Sequence, residues 1–338
     1  MTTLTSPAVQ PADPPTDPPT GPPTGPLTVG SRSTDPKPTA RPDGAATKAV
    51  LAATVTIVLW ASAFVVIRSS GAHLSPGPMA LARVAVATLV LTPFVLRGSV
   101  RRAGPLLPRG RELLPVVGYG ALWFAGYNVA LNAAEQHVDA GTAALLVNIA
   151  PVLIAIGGGL FLHEGFSRPL FLGCAVAFGG IALMATGSNG ERDVLGIVLA
   201  LVAAALYASS VIMQKVTLRS IDALRATWLG CVVGTVVTLP FAGELVQEAQ
   251  GAPVSALLGA AYLGAFPTAV AFTTWAYALR RMPAGRLGPL GYLVTVLSVL
   301  MSWAFLSEVP TVPALVGGGI CLVGVVVSRW RPRSRDEG

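Results

Sequence analysis

The side chains best suited to handling a solute lie close together between Tyr119 and Asn148. Tyr119, Trp123 and Tyr127 recur at helical spacing, and Asn128, Asn132 and Glu135 form a second stripe beside them. The run that carries them is otherwise apolar, so a carboxamide there is costly unless it meets a cavity, another polar group or a ligand. One arrangement that fits is a cavity wall, with aromatic faces for apolar groups and amides for polar ones. The other is interhelical hydrogen bonding combined with aromatic rings at the membrane interface. Trp60 and Tyr207 sit near the middle of their own apolar runs, away from the headgroup level where aromatic belts form. Core packing and a cavity surface both account for them. The candidate solute-binding residues are Trp60, Trp123, Tyr127, Asn128, Asn132, Asn148, Tyr207 and Tyr292.

Other chemistries lack their residues. There is no phosphate-binding GxxxxGK[ST] loop, so ATP is not expected to act on this chain directly. Neither a GxSxG elbow nor an HExxH pair is present, and His73, His137 and His163 all fall at the ends of apolar runs. The three cysteines, Cys174, Cys231 and Cys321, lie in apolar runs without CxxC spacing, so no disulfide framework or zinc site is expected. No acidic residue lies at mid-depth of a span, and no proton relay of that kind is evident. No catalytic residues, no metal and no cofactor are expected.

The elements that position these residues follow from composition. Of 338 residues, 53% are hydrophobic and 12% charged, about half the charge of an ordinary soluble domain, roughly 25%. Apolar runs of about 20 residues recur along the chain, each able to cross the hydrocarbon as a helix. An all-α polytopic membrane protein is therefore expected. Ten spans are placed near 49–67, 78–96, 113–132, 142–162 and 168–186, then 194–214, 225–243, 254–277, 286–306 and 312–328. Residues 1–45, rich in Pro and Thr, have little to bury and are expected to be a disordered tail. That segment has no apolar run near Met1 and is not read as a signal peptide. The net charge of +7 is weak evidence for nucleic acid in a membrane chain, and no recognition motif supports it.

Placement of charge carries more. Arginines cluster before the first span, between the second and third, in the sixth-to-seventh linker, between the eighth and ninth, and after the tenth. The alternate linkers hold mainly Glu135, Asp139, Glu244, Glu248 and Glu308. By the positive-inside rule both termini are expected in the cytoplasm.

The chain also repeats itself. Gly141, Leu146, Glu164, Pro169, Gly173 and Gly180 recur in one register as Gly285, Leu290, Glu308, Pro313, Gly317 and Gly324. With a slightly longer offset, LWASAFVVIR (59–68) matches LYASSVIMQK (206–215), pairing Trp60 with Tyr207 and Arg68 with Lys215. An odd number of spans per half inverts the second half, which makes this an inverted-topology repeat. Under the later register Asn128 meets Phe272, Asn132 meets Ala276 and Asn148 meets Tyr292. These departures mark better site candidates than matched positions, since a ligand has no internal symmetry, although ordinary drift after duplication accounts equally well for any one of them.

Several single residues carry narrower expectations. Arg83 is expected to snorkel to the outer face. Trp275 and Tyr277 are expected as belt anchors. Pro151 and Pro267 free a carbonyl and either kink their helices or open backbone to a cavity. Glu164 and Glu308 could serve proton coupling, but they precede helices whose N-terminal dipoles would stabilise a carboxylate, and the structural role is the expectation.

Taken together, LWASAFVVIR, ALARVAVATLVL (80–91), NVALNAAEQHVDAGTAALLVNIAPVLIAIGGGLFLHE (128–164) and WAYALRRMPAGRLGPLGYLVTVLSVLMSWAFLSE (275–308) resemble the drug/metabolite transporter superfamily, in its EamA-type branch. The resemblance covers all but the tail. It implies ten transmembrane helices as two inverted five-helix repeats, at 46–187 and 188–329, with a short cytoplasmic tail at 330–338. It also implies a secondary transporter, an exporter of small polar metabolites such as amino acids across a bacterial inner membrane. Its partners would be a small-molecule substrate and the lipid bilayer, with no nucleic acid, and the protein a monomer or homodimer. A drug or amine efflux protein of the same fold is the rival reading; a channel and an intramembrane enzyme fit the residues less well. The charge pattern fixes a test: reporter fusions after Arg102 and Arg281 should read cytoplasm, and fusions after Asp139 and Glu248 should read outside. An outside signal at Arg281 would remove the inverted arrangement.

Overall fold

In hydrocarbon a backbone must hydrogen-bond within itself, and a run of apolar residues satisfies this only as a helix. The computed structural model describes residues 44–101, 110–161, 168–186, 191–279, 281 and 284–328, and among them there is no strand. The expectation of a disordered tail at 1–45 falls almost wholly outside the described residues, as does the short tail at 330–338.

The first half runs through α1 (Gly44–Ser70), α2 (Pro76–Arg101), α3 (Leu113–Tyr119), a π-helical segment (Gly120–Tyr127), α4 (Asn128–Ala134), α5 (Ala140–Val147), α6 (Ala150–Phe161) and α7 (Arg168–Thr186). The second runs through α8 (Glu191–Thr217), α9 (Ala223–Thr238), α10 (Ala242–Gly251), α11 (Val254–Leu263), a second π segment (Gly264–Val270), α12 (Ala271–Leu279), α13 (Ala284–Leu306) and α14 (Val312–Ser328). Among the described residues six stretches are long and apolar enough to cross a membrane: Thr47–Ser70, Pro76–Gly98, Leu113–Ala134, Val194–Thr217, Ala223–Gly251 and Val254–Ala278. Shorter apolar helical stretches, Ala140–Ile154, Phe171–Leu183, Tyr292–Leu306 and Val312–Val327, occupy the other expected positions. Large apolar side chains such as Leu89, Leu114, Phe171 and Phe305 point outward, as a surface solvated by lipid tails requires.

One linker is more ordered than its sequence suggests. The segment after α9 continues as α10, and Glu248 on it accepts the Ser75 backbone N–H at 2.9 Å, just ahead of α2. A carboxylate there meets both an unpaired donor and the positive end of a helix.

Helix packing follows the internal register. α2 lies against α9, α7 against α14, α1 against α13, and α8 against α5 and α6. The matched glycines are the reason α7 and α14 approach so closely. A Cβ on Gly180 would collide with the Gly317 carbonyl oxygen and fall 2.7 Å from the Cys321 nitrogen. A Cβ on Gly324 would fall 2.6 Å from the Gly173 carbonyl oxygen and 2.5 Å from the Ala177 nitrogen. Each helix thus meets the equivalent residues of the other, and the rising number on one side against the falling number on the other makes the pair antiparallel. Small residues let backbones touch where no hydrophobic effect drives helices together.

The same rule recurs at the π segments, which occupy equivalent positions in the two halves. A Cβ on Gly120 would meet the Gly230 carbonyl at 3.0 Å and Val233 at 2.6 Å. A Cβ on Gly264 would collide with the Arg83 carbonyl and meet Val86 at 2.7 Å. Arg83 and Val86 are the counterparts of Gly230 and Val233 under the offset that relates Trp60 to Tyr207.

A matched set of substitutions tests this packing. Gly180→Ala and Gly324→Ala should each cost about 1–3 kcal/mol, because the opposing atoms are backbone and cannot step aside. Gly179→Ala and Gly319→Ala, whose added methyl groups meet nothing within 4 Å, should be neutral or gain up to about 1 kcal/mol of helix propensity. Thermal unfolding of purified protein in detergent separates the two pairs.

Candidate functional site

Between the helices lies a cavity of about 540 Å³. Aromatic rings form its main wall. Trp123 sits 5.0 Å from Tyr207 and 5.1 Å from Phe272, centroid to centroid. Tyr127 is 5.7 Å from Tyr207, and Trp60 is 5.8 Å from Phe272 and 5.2 Å from Trp275. Edge-to-face and tilted pairs at these separations hold rings rigidly and leave faces open to a ligand. The lining continues past Gln214 to Leu218 and Ala223, where α8 turns into α9. In the other direction it stops at Phe64, Leu131 and Ala144.

The π segments explain how these rings are placed. A π turn widens the helix by one residue and leaves backbone groups misaligned for their usual partners. In the second half Pro267 has no N–H, so it cannot give the Leu263 carbonyl the bond that an α-helix would. The Thr268 hydroxyl donates to that carbonyl at 2.9 Å. The same hydroxyl oxygen accepts from Arg83 Nε at 3.0 Å. The Pro267 carbonyl in turn accepts the Trp60 indole N–H at 3.2 Å. One proline therefore orients both an arginine and a tryptophan of the cavity wall.

In the first half Asn128 does the corresponding repair. Its Nδ2 donates to the Trp123 carbonyl at 3.1 Å and the Phe124 carbonyl at 3.0 Å. Asn132 donates to the Pro76 carbonyl at 3.1 Å and ties α4 to the first turn of α2. Both asparagines are buried, at 2% and 0% exposure, and neither lines the cavity. Of the eight candidate residues, Trp60, Trp123, Tyr127, Asn148, Tyr207 and Tyr292 do line it. Asn148 stands where α5 ends and α6 has not begun, with its Nδ2 donating back to the Ala144 carbonyl at 3.3 Å. The break just before Pro151 gives that asparagine its access.

Two expectations are corrected. Arg83 does not reach the outer face: it is 7% exposed, lines the cavity, and is held by Thr268. Its position early in α2 suggests a lipid-facing ascent, but α2 is packed there against the second π segment. Trp275 is not a belt residue either, since it lines the cavity and packs on Trp60. Tyr277 carries the Arg281 guanidinium at 3.7 Å over its ring. Sequence reasoning also passes over Phe272, whose only signal is its mismatch with Asn128.

The end beyond Leu131 is sealed by charge as well as packing. α13 closes with Ser307 in the left-handed region, φ 56°, and the Glu308 N–H reaches back to the Ser302 carbonyl at 3.4 Å. This helix stop turns Glu308 toward α1. Its Oε1 then pairs with Arg68 Nε at 2.8 Å. Arg68 Nη1 also donates to the Glu135 carbonyl at 2.6 Å. The Glu308 carboxylate is thus committed to an ion pair across the bundle, beyond the helix-dipole role expected of it. Its repeat counterpart, Glu164, lies outside the described residues.

Comparison with known proteins agrees with this architecture. The model of the EamA-like transporter family matches the chain twice, over residues 47–186 and 194–330. A Streptantibioticus cattleyicolor protein described as a probable terminal-alkyne amino-acid exporter is 34% identical, over 85% of this chain and 95% of its own length. The uncharacterized transporter YdfC of Bacillus subtilis is 30% identical over 80% of this chain and 87% of its own. The uncharacterized inner membrane transporter YedA of Escherichia coli is 26% identical, with 80% and 87% coverage. One crystal structure aligns with a TM-score of 0.54 at 18% identity, over 84% of this chain and 96% of that one, which speaks to fold alone.

The placement of Asn128 and Tyr127 sets up a contrast. Asn128→Leu removes two hydrogen bonds to buried carbonyls and should lower stability by about 1–3 kcal/mol, while the folded fraction keeps its ligand affinity. Tyr127→Ala should do the opposite, weakening binding with less loss of folded protein. Thermal unfolding and ligand titration on the same samples check both.

Proposed function

Because the chain belongs to the EamA-like transporter family, we propose that it exports small polar metabolites, amino acids or close relatives, across the inner membrane. It is a membrane transporter and not an enzyme. The observation that carries the reading is the cavity: aromatic walls, a few polar groups, one end reaching the α8–α9 turn and the other stopped short of Arg68 and Glu308. A site of this shape holds an amphipathic solute and exposes it to one side at a time.

In this reading ten spans form two inverted five-helix repeats. The antiparallel glycine contact of α7 and α14 and the twin π segments support it. Both termini lie in the cytoplasm, as the arginine clusters favour. The cavity then opens inward, and the Arg68–Glu308 contact closes the outer end. Alternating access requires that contact to break while a seal forms near Leu218 and Ala223. Export of an amino-acid-like compound agrees with the description of the Streptantibioticus cattleyicolor relative as a probable exporter of one. The amine-efflux reading draws on the aromatic walls, which suit cations, but among the described residues no carboxylate lines the cavity to complete such a site.

Everted membrane vesicles containing the protein should accumulate L-leucine or L-phenylalanine above the outside concentration. Equilibration without accumulation would point to a channel instead. The closure of the outer end has its own test. Glu308→Gln removes an ion pair whose partners are each more than a quarter exposed, so its worth is at most about 1 kcal/mol. Placed in a protein carrying Ala140→Cys, it should raise reactivity toward a polar maleimide added from outside by roughly two- to fivefold. Unchanged reactivity would leave the ion pair without a gating role.

A further inference from the structure

A guanidinium in a membrane interior is expensive, and it is ordinarily matched by a carboxylate. Arg83 is not matched in that way. It is 7% exposed, and among the described residues no carboxylate forms an ion pair with it. Its Nε is engaged by Thr268, while Nη1 is buried with no hydrogen-bond partner among the described residues. The Glu135 carboxylate acts on it only through space, and both Glu135 oxygens are themselves without a hydrogen-bond partner among those residues. Yet the side chain lines the cavity, as Tyr127 does.

We propose that Arg83 is the carboxylate subsite of this cavity. A solute's carboxylate docks on the free end of the guanidinium, and its apolar side chain lies against Trp123, Tyr207 and Phe272. The inference rests on the reading of the cavity as the transport site and adds the group that fixes the solute's orientation. Two features support it. The planar fork of an arginine matches a carboxylate in a way a lysine cannot. The fork is fixed in advance, because Thr268 holds Nε and is itself held by its hydrogen bond to the Leu263 carbonyl. A preorganised donor loses little freedom on binding. The ligand class is therefore a small monocarboxylate with an apolar tail, which includes apolar amino acids and excludes amines that lack the acid.

Thermal stabilisation of the purified full chain tests this with two matched series. One is L-phenylalanine, L-phenylalaninamide, 3-phenylpropionate and phenethylamine. The other is L-leucine, L-leucinamide, 4-methylpentanoate and isoamylamine. The acids should stabilise the wild type, and the amides and amines should bind on the order of ten- to a hundredfold more weakly, the range for a hydrogen bond to a charged group. Arg83→Gln should erase the difference between acid and amide, and Arg83→Lys should restore part of it. Should Arg83→Gln fail to fold, Thr268→Val keeps the question open to measurement, because it frees the guanidinium without removing it and should reduce acid binding more than amide binding. Equal binding of acid and amide by the wild type would overturn the subsite while leaving amino-acid transport standing. Binding of the amines in preference to the acids would overturn both, and so would the absence of any shift in either series. Discrimination that survives Arg83→Gln would overturn the subsite alone.

Discussion

Within hydrocarbon no water is available to finish an incomplete backbone, and this constraint organises the interior of the protein. Straight helix obeys it without help. The two π segments and Pro267 interrupt the α register, and at each a side chain adds a donor to the carbonyls there. Asn128 supplies one, to Trp123 and Phe124; Thr268 supplies the other, to Leu263. The repairs decide the rest of the site. Trp123 and Tyr127 face the cavity because the helix is widened beneath them. Trp60 is steered by the Pro267 carbonyl and Arg83 by the Thr268 hydroxyl.

The two halves share a scaffold and differ in what they hang on it. Gly120 touches the Gly230 carbonyl, and Gly264 touches the Arg83 carbonyl. The backbone of residue 83 thus does the same packing work as that of residue 230. The side chain is left to diverge, from no side chain at all to a buried cation. The same division holds at residues 128 and 272, where one half carries the carboxamide that repairs the π turn and the other a phenyl ring of the cavity wall. Repetition fixes the frame, and specificity is built from the positions that break it.

The helices, the internal register and most of the aromatic wall are legible in the residues, because apolar length, fixed glycine spacing and mid-span rings leave a direct trace. The chemistry of the polar groups is less so. Asn128 and Asn132 suggest a solute because a carboxamide in lipid must have a partner. That reasoning is sound, but the partner is a backbone carbonyl, of the π turn for Asn128 and of Pro76 in α2 for Asn132, and neither is written in a period. Arg83 misleads for a related reason: its distance from Pro76 gives its depth, whereas its direction depends on α2 packing against the second π segment. Trp275 misleads in the same way. Depth along a span can be counted; azimuth requires the neighbouring helix.

The contact between α7 and α14 has a further property. Gly180 meets Gly317 as Gly324 meets Gly173, and Ala177 stands in for Cys321. A surface that fits its own copy when turned over is isologous. Because each helix brings the same pattern to it, the joint is one motif used twice: Gly180 and Gly324 are met by equivalent neighbours, and a side chain added at either disturbs the packing in the same way.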